Sequence, residues 1–334
     1  MDCKLKSVII HLTNACTNRC PYCYAYKGHK IKHGNKETIL KIIDEVALAG
    51  VSSISLLGGD PALHPNIFDF ISYAHNKGLS VSVMSNSMAF ERPLFHDIMQ
   101  MVSSFETTIH GYDSESHDSF CDNQGAYNQL VSNLKDISEA NGVIGIAINI
   151  IPSNAHFIYS MISSLVKKER IRISYIIIQR IVQFGRAAGS NMYNINKEEA
   201  NSALEQIDKI HSEFGIKITV EDPFPLCVID EKYHKYMQPC EWGFTKAAIS
   251  SNGDFSRCGA DPRCLLGNIF DTPISIIWET SPILLSFRNR DYLSERCKSC
   301  QKRDVCGGGC PLSCESNNDQ GLDYLFLEYN KTCK

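Results

Sequence analysis

The chain has little excess charge of either sign: 33 Lys and Arg against 37 Asp and Glu leave a formal net charge of -4 over 334 residues. That balance supplies no general attraction to a phosphate backbone or an anionic lipid surface. No run of basic residues with interleaved aromatics occurs either, so no nucleic acid partner is expected. Long hydrophobic runs are missing as well. The opening MDCKLKSVIIHLTNACTN has one short apolar stretch, too short for a membrane span and without a signal-peptide cleavage pattern. No membrane association is expected, and the cytoplasm is the expected compartment. Internal repeats and low-complexity tracts are also absent. What remains is an ordinary globular composition, 43% hydrophobic, long enough for one large domain and a smaller one.

Cysteine is what the chain has in excess. Of 15 cysteines, nine lie from Cys240 onward. Secreted disulfide scaffolds are short and usually carry an even count, whereas this chain is long, odd in count and without an export signal, so metal binding explains the cysteines better.

Up to about residue 220 the pattern alternates. Apolar strands are predicted at 7–13, 52–57, 79–85, 104–110, 143–151 and 171–179, and helical spacing at 36–50, 66–78, 126–142 and 156–169. Strand and helix repeated six times predict parallel strands with right-handed crossovers, hence an α/β barrel or open sheet. A helix at 197–215 and an extended segment at 216–220 close this region. Beyond about residue 222 the chain breaks into short segments punctuated by cysteine, glycine and proline. The expected division is 1–221 and 222–334.

In such folds chemistry sits at the carboxyl ends of the strands. Three cysteines, Cys16, Cys20 and Cys23, follow the first strand; Gly58, Gly59, Asp60 and Pro61 follow the second; Ser85, Asn86 and Ser87 follow the third. A structural zinc site is almost always four-coordinate and closed. Three thiolates in one tight loop instead suit three corners of a [4Fe–4S] cluster, with the fourth iron left for an exogenous chelator. Buried thiols or a partial zinc site are the plainer alternatives, Gly-Gly-Asp-Pro by itself is merely a turn, and serine and asparagine are common after any strand.

The spacing of Cys16, Cys20 and Cys23, with Tyr22 before the last, resembles the signature of the radical S-adenosylmethionine (radical SAM) enzymes. The resemblance implies a partial (β/α)6 TIM-like barrel. It also implies a cluster on Cys16, Cys20 and Cys23 whose open iron is chelated by S-adenosylmethionine (SAM), and a 5′-deoxyadenosyl radical that abstracts a substrate hydrogen. Tyr22 belongs to that cofactor-binding set. Residues 58–61 resemble the family's glycine-rich segment that holds the methionine amino group, with Asp60 in place of the commoner Glu, and Ser85 and Asn86 would lie near the SAM ribose.

The second half carries the more specific arrangement. Cys240 and Cys258 bracket Gly253, with twelve residues before the glycine and four after it. Cys297, Cys300, Cys306 and Cys310 follow at intervals of two, five and three, and Cys333 comes after a gap. This resembles the seven-cysteine SPASM extension. The resemblance implies that Cys240, Cys258 and Cys310 hold one auxiliary cluster and that Cys297, Cys300, Cys306 and Cys333 hold another, three [4Fe–4S] clusters in all. The fourth ligand of the first auxiliary cluster stays open among Cys227, Cys264, His234 and no ligand, and Cys314 competes with Cys333 for the second. A zinc ribbon built from CKSC and CGGGC is the competing reading, but it leaves the cysteines around Gly253 unexplained. Cys3 and Cys121 fit no ligand pattern and are expected to be ordinary buried or partly buried thiols.

Two further segments resemble the family. His110 stands in the strand-four segment where Asp is commoner, as a polar group near the substrate or a satisfied histidine. Arg186, in the 183–189 segment, would pair with a carboxylate or with SAM, or make a structural salt bridge. SPASM members mostly modify peptides, and a minority act on small molecules such as aminoglycosides. A sulfatase maturase is disfavoured, because Gly259 occupies the place of that group's proton-accepting Asp. The expected function is a maturase of ribosomally made peptides, and the alternative is a small-molecule dehydrogenase or epimerase. Expected partners are a peptide or small-protein substrate and an external electron donor of flavodoxin or ferredoxin type. Because the first predicted strand begins at residue 7, leader recognition is expected to fall to a separate protein or to the barrel itself.

Overall fold

The computed structural model describes residues 3–25, 30–89, 97–261, 264–315 and 322–326. Seven parallel strands run in chain order across one sheet: β1 (Ser7–His11), β2 (Ser53–Leu57), β3 (Ser80–Met84), β4 (Ser104–Thr108), β5 (Ile144–Ile150), β6 (Tyr175–Arg180) and β7 (Lys217–Val220). Helices α1 (Lys36–Leu48), α2 (Ile67–Asn76), α3 (Ser114–Cys121), α4 (Ala126–Glu139), α5 (Ile158–Ser163) and α6 (Lys197–Phe214) lie between them. Parallel strands joined by helical crossovers are the α/β architecture expected from the sequence. Near-continuous apolar strands are what a parallel sheet covered on its faces requires, and β5, IGIAINI, is buried at all but one position.

Local chemistry sets the helix ends. Asn35 accepts from the Thr38 N–H at 3.1 Å to start α1, whose buried Ile39, Ile42, Ile43 and Val46 fall on one stripe. Asn196 and Glu199 form a reciprocal capping box on α6, and Gly215, at φ 67°, ends it.

Two sequence expectations are displaced. The sixth strand, expected from 171, starts at Tyr175, because the preceding helix runs from α5 through a π-turn (Ser164–Lys168) and Arg170 then turns at φ 59°. Ile171 donates back to Leu165 O at 3.0 Å, so 171–174 form the return from the helix. The second difference lies past residue 222. There β8 (Lys246–Ile249) pairs parallel to β1, and β9 (Asp254–Ser256) and β10 (Leu265–Asn268) follow antiparallel, so the sheet order is β10-β9-β8-β1-β2-β3-β4-β5-β6-β7.

The cysteine-rich segment is fastened to the barrel by a buried charge pair. Arg180, at the end of β6, donates through Nη1 and Nη2 to Asp323 Oδ2 and Oδ1, both at 2.8 Å, and through Nη1 to Pro223 O at 3.0 Å. Its guanidinium lies 5.1 Å from the Phe224 ring centre and 4.9 Å from that of Tyr324. Asp323 in turn abuts the glycine run between Cys306 and Cys310: a Cβ on Gly309 would stand 2.8 Å from its carboxylate. Among the described residues no helix is long and apolar enough to cross a membrane.

Candidate functional site

The segments after β1, β2 and β3 meet at the carboxyl ends of their strands. Gly59 donates to Thr13 O at 2.7 Å and Asp60 to Ala15 O at 2.7 Å, so residues 58–60 run as an added rung against the chain leading to Cys16. Both glycines are required by this approach. A Cβ on Gly58 would stand 2.3 Å from Thr13 O, and one on Gly59 2.3 Å from Ala15 O. Those contacts are with backbone, which cannot swing aside as a side chain can. Gly59→Ala is therefore expected to cost about 1–3 kcal/mol of stability and to displace the Cys16 segment. A drop in the unfolding midpoint together with lost SAM binding in equilibrium dialysis checks this, and a variant that binds SAM normally would refute it.

Asp60 is buried and ties this rung to the third segment. Its Oδ1 accepts from Ser85 Oγ at 2.6 Å and from the Ala62 N–H at 3.1 Å, while among the described residues Oδ2 has no hydrogen-bond partner. Burial pushes its carboxyl up to about 6. Ser85 also accepts from the Ser87 N–H at 2.9 Å. Asn86 lies over the cysteine loop, its Nδ2 3.5 Å from Cys16 Sγ and 3.0 Å from Thr17 Oγ1. Gly58, Gly59, Asp60, Ser85, Asn86 and Cys16 thus form one neighbourhood.

Cys16 is exposed, and Cys20 and Cys23 are half-buried. Their loop is gripped from two sides. Arg186 donates its backbone N–H to Cys23 O at 3.1 Å and its Nη1 to Cys20 O at 3.2 Å. Gly185, at φ 59°, allows the approach, since a Cβ there would stand 2.2 Å from Cys23 O. On the other side Arg19 donates to Cys121 O at 2.7 Å, at the end of α3. Arg186 thus has a contact with the loop backbone that the sequence expectation, a carboxylate or SAM partner, did not include. Tyr22 reaches across the mouth, where Asn149 of β5 donates to its hydroxyl at 2.9 Å and the rings of His110 and Phe120 pack against it, each 5.5 Å away.

One association escaped sequence reasoning. Cys121, expected to be an ordinary thiol, is buried beside Cys20 and His110, with ligand atoms of the three within 4.8 Å of one another. Hydrogen bonding from Cys121, and then from His110, holds the Cys20 thiol below the usual thiol range. No spacing rule links residues 20, 110 and 121. They meet because β1 and β4 end at the same side of the sheet.

The donor set fits the implied group. Three thiol side chains come from one short loop, a cradle free of Cβ atoms runs beside it, and Asp60 contributes a buried carboxylate oxygen that has no partner among the described residues.

The C-terminal cysteines fall into two groups. Cys258 and Cys310 pack together with Leu312, Val182, Phe184 and Trp242, and Cys240 lies near both. Burial raises all three thiols, and each is influenced by Asp222, to which Cys310 Sγ donates at 3.9 Å. Asp222, whose carboxyl is pushed up to about 6 chiefly by burial, follows β7 and had no sequence signal. Cys297, Cys300 and Cys306 line a separate cavity, and Cys227 lines it with them. Two other residues weighed for the first group have partners of their own. Cys264 takes a hydrogen bond from Arg257 Nη2 at 2.9 Å and donates to Asp261 at 3.1 Å, and the His234 ring bonds Leu226 O at 2.9 Å. Cys314 is buried and donates to Gly308 O at 3.4 Å. Cys333 lies outside the described residues.

A cavity of about 790 Å³ opens between the barrel mouth and the first of these groups, lined by Gly58 and Tyr24 on one side and by Cys258, Gly259 and Asp261 on the other. Burial, then the nearby Cys23 and Cys258, push the Tyr24 phenol well above the usual range.

Comparison with known proteins agrees with this architecture. Residues 10–156 match the radical SAM superfamily, and residues 240–301 match the SPASM iron–sulfur cluster-binding domain. The AdoMet-dependent heme synthase of Methanosarcina barkeri is 23% identical over 315 residues, covering 89% of this chain and 88% of the relative. The PqqA peptide cyclase of Xanthomonas oryzae pv. oryzae is 21% identical over 318 residues, covering 91% of this chain and 82% of the relative. The structure of Streptococcus suis SuiB bound to precursor peptide SuiA shares the fold, with a TM-score of 0.76 at 14% identity over 96% of this chain and 75% of SuiB. With a radical SAM barrel followed by a SPASM domain, the chain is a radical SAM/SPASM enzyme whose cofactors are [4Fe–4S] clusters and S-adenosylmethionine.

Proposed function

We propose that this enzyme modifies a ribosomally made peptide, and that the peptide residue to be changed is held in the cavity between the barrel mouth and the first C-terminal cysteine group. The observation that carries this is the cavity itself, with Gly58 and Tyr24 on one wall and Cys258 on the other. In this reading residues 1–221 form the barrel and 222–334 the auxiliary-cluster domain. Cys16, Cys20 and Cys23 hold the SAM-binding cluster. Cys240, Cys258 and Cys310 hold one auxiliary cluster, and Cys297, Cys300 and Cys306 hold another, for which the family pattern adds Cys333. Reductive cleavage of SAM with abstraction of a substrate hydrogen is the chemistry the bound groups supply.

The chain's own residues position and select. Gly58 and Gly59 expose backbone where the methionyl amino group would lie, and Asp60 Oδ2 offers it a buried acceptor. Ser85 keeps Asp60 in place, Asn86 stands over Cys16 on the ribose side, and Tyr22 closes the wall toward β5. The substrate cavity presents hydroxyl and amide groups from 250–256 together with both charge signs, since Lys30, Lys32, Asp254 and Asp261 all line it. Such a lining suits a peptide backbone, which needs donors and acceptors along its length, better than a flat apolar macrocycle. The PqqA peptide cyclase among the relatives, and SuiB with its bound precursor peptide, support this choice. A second reading, a small-molecule substrate, is favoured by the likeness to the heme synthase. An external electron donor of flavodoxin or ferredoxin type is part of the proposal, as is leader recognition by a separate protein or by the barrel.

Selectivity for one C–H bond must come from holding that carbon close to the reacting centre. A peptide encoded beside this gene and deuterated at the modified residue should therefore pass its label into 5′-deoxyadenosine. The product would be lighter by two hydrogens if a crosslink forms, or unchanged in mass in light water for an epimerisation. Label arriving only from a small metabolite would transfer support to the second reading.

A further inference from the structure

Three side chains from distant parts of the chain converge at the barrel mouth: Cys20 in the loop after β1, His110 after β4 and Cys121 at the end of α3, with their ligand atoms all within 4.8 Å of one another. Neighbouring contacts hold them there. The Arg19 N–H donates to Cys121 O at 2.7 Å and Asn123 Nδ2 donates to Asn18 Oδ1 at 2.7 Å, so the cysteine loop is tied to the end of α3 at two points. The His110 N–H donates to His117 Nδ1 at 3.2 Å, which fixes His110 to the same helix. Tyr22 and Phe120 pack the His110 ring, with ring centres 5.5 and 4.9 Å away.

The hydrogen bonds of this cluster run toward Cys20. Asn149 Nδ2 donates to the Tyr22 hydroxyl at 2.9 Å. That hydroxyl lies 3.3 Å from His110 Nδ1 and 3.4 Å from Nε2, and Nε2 lies 3.7 Å from Cys20 Sγ. A hydroxyl that accepts from an amide keeps its own hydrogen to give, here to Nδ1, and an imidazole that accepts at Nδ1 carries its hydrogen on Nε2, toward the sulfur. Cys121 is fully buried and hydrogen-bonds the same sulfur. A thiolate that ligates iron has lone pairs and no hydrogen, so both neighbours donate to it. Reduction adds negative charge that the ligand sulfurs share, and hydrogen bonds to those sulfurs are one of the levers that set a cluster's potential.

We propose that His110 and Cys121 are positioning residues for the SAM-binding cluster: each donates a hydrogen bond to the Cys20 thiolate, and together they raise the potential at which the cluster accepts its electron. This rests on the reading of Cys20 as a ligand. Neither residue touches SAM or the substrate in this role. Tyr22 and Asn149 act one step further out, by orienting the imidazole so that its Nε2 hydrogen meets the sulfur.

The test reads the cluster itself. In an EPR-monitored redox titration of the iron-loaded full chain, followed at the signal that added SAM perturbs, His110→Phe and Cys121→Ala should each keep their iron and move the midpoint to a more negative value. His110→Gln and Cys121→Ser, which retain a donor, should stay close to the unsubstituted protein. In the double variant His110→Phe with Cys121→Ala, SAM cleavage driven by flavodoxin should fall about tenfold, which for one electron corresponds to about 59 mV. Titanium(III) citrate should restore it, because a stronger reductant compensates for a lower potential and not for a distorted site. A further measurement does not depend on how the variants lacking a donor fold. With histidine labelled by the heavy nitrogen isotope, pulsed EPR of the reduced cluster without SAM should show a coupling to that nitrogen, and His110→Gln should lack it. Unchanged midpoints or no histidine coupling would overturn the proposal, and so would loss of iron from Cys121→Ala, which would make Cys121 a ligand. Absence of any SAM-responsive cluster signal from the unsubstituted protein would instead overturn the reading of Cys20 beneath it.

Discussion

Alanine in place of Cys16, Cys20 and Cys23 together is expected to remove about one third of the iron from the anaerobically reconstituted chain and all of its SAM cleavage, with the remaining iron left in place. The expectation follows from how the loop is built. Its path is set by backbone and side-chain contacts that do not involve the thiols: Arg186 to Cys20 O and Cys23 O, Arg19 to Cys121 O, and the 13–15 segment to Gly59 and Asp60. Cys16 is exposed and the other two are half-buried, so truncation opens little core volume and the barrel should stay folded. The C-terminal thiols come from other segments and keep their own surroundings. Iron and sulfide analysis with 5′-deoxyadenosine measured by chromatography decides the matter. A triple variant that still cleaves SAM would refute the assignment, and so would wild-type protein that carries stoichiometric zinc with little iron.

Truncating Arg180 to alanine is expected to destabilise the protein by about 3–5 kcal/mol, because it strands the Asp323 carboxylate in a buried site. Both side chains are almost completely excluded from solvent, and two 2.8 Å hydrogen bonds join them. Asp323→Ala should cost a similar amount by stranding the guanidinium. The double replacement Arg180→Met with Asp323→Leu should recover much of the loss, since no unpaired charge then remains buried. Denaturant unfolding of the three variants checks the pattern. Additive losses in the double variant would mean the pair is not the source. The same variants should release C-terminal iron more readily, because Asp323 packs on Gly309 between Cys306 and Cys310.

The sheet was legible because β5 and β6 are buried along nearly their whole length and stand out as apolar runs, while β1, β2 and β3 show the alternation of buried and less buried positions that also marks a strand. The segments after the first three strands were legible because position in an α/β fold predicts where chemistry gathers. The start of β6 was misplaced since Ile171 and Ile173 are apolar for a different reason: they pack the turn between helix and strand. Strands β8 and β9, four and three residues long, carry too little periodicity to be seen, and nothing local marks β8 as the neighbour of β1. The same holds for Cys121 beside Cys20, for Asp222 beside Cys310 and for Cys227 beside Cys306. Each is a meeting of distant segments, and spacing along the chain encodes only near ones.

The pairing of β1 with β8 bears on the order in which the protein can be completed. Residues 7–11 are made ahead of the rest of the sheet and find β2 within some forty residues, but their other partner, Lys246–Ile249, is made only after the whole run of crossovers has been synthesised. Until then β1 is an open edge that carries the cysteine loop at its end, a free row of backbone donors and acceptors able to pair with another nascent chain. A release of the first 220 residues alone would make that temporary state permanent, so the barrel without its C-terminal strands should self-associate through β1 as well as lack the cavity wall. The late segment thus acts as the barrel's closing partner, and iron delivered before it arrives would meet Cys16, Cys20 and Cys23 on an unfinished edge.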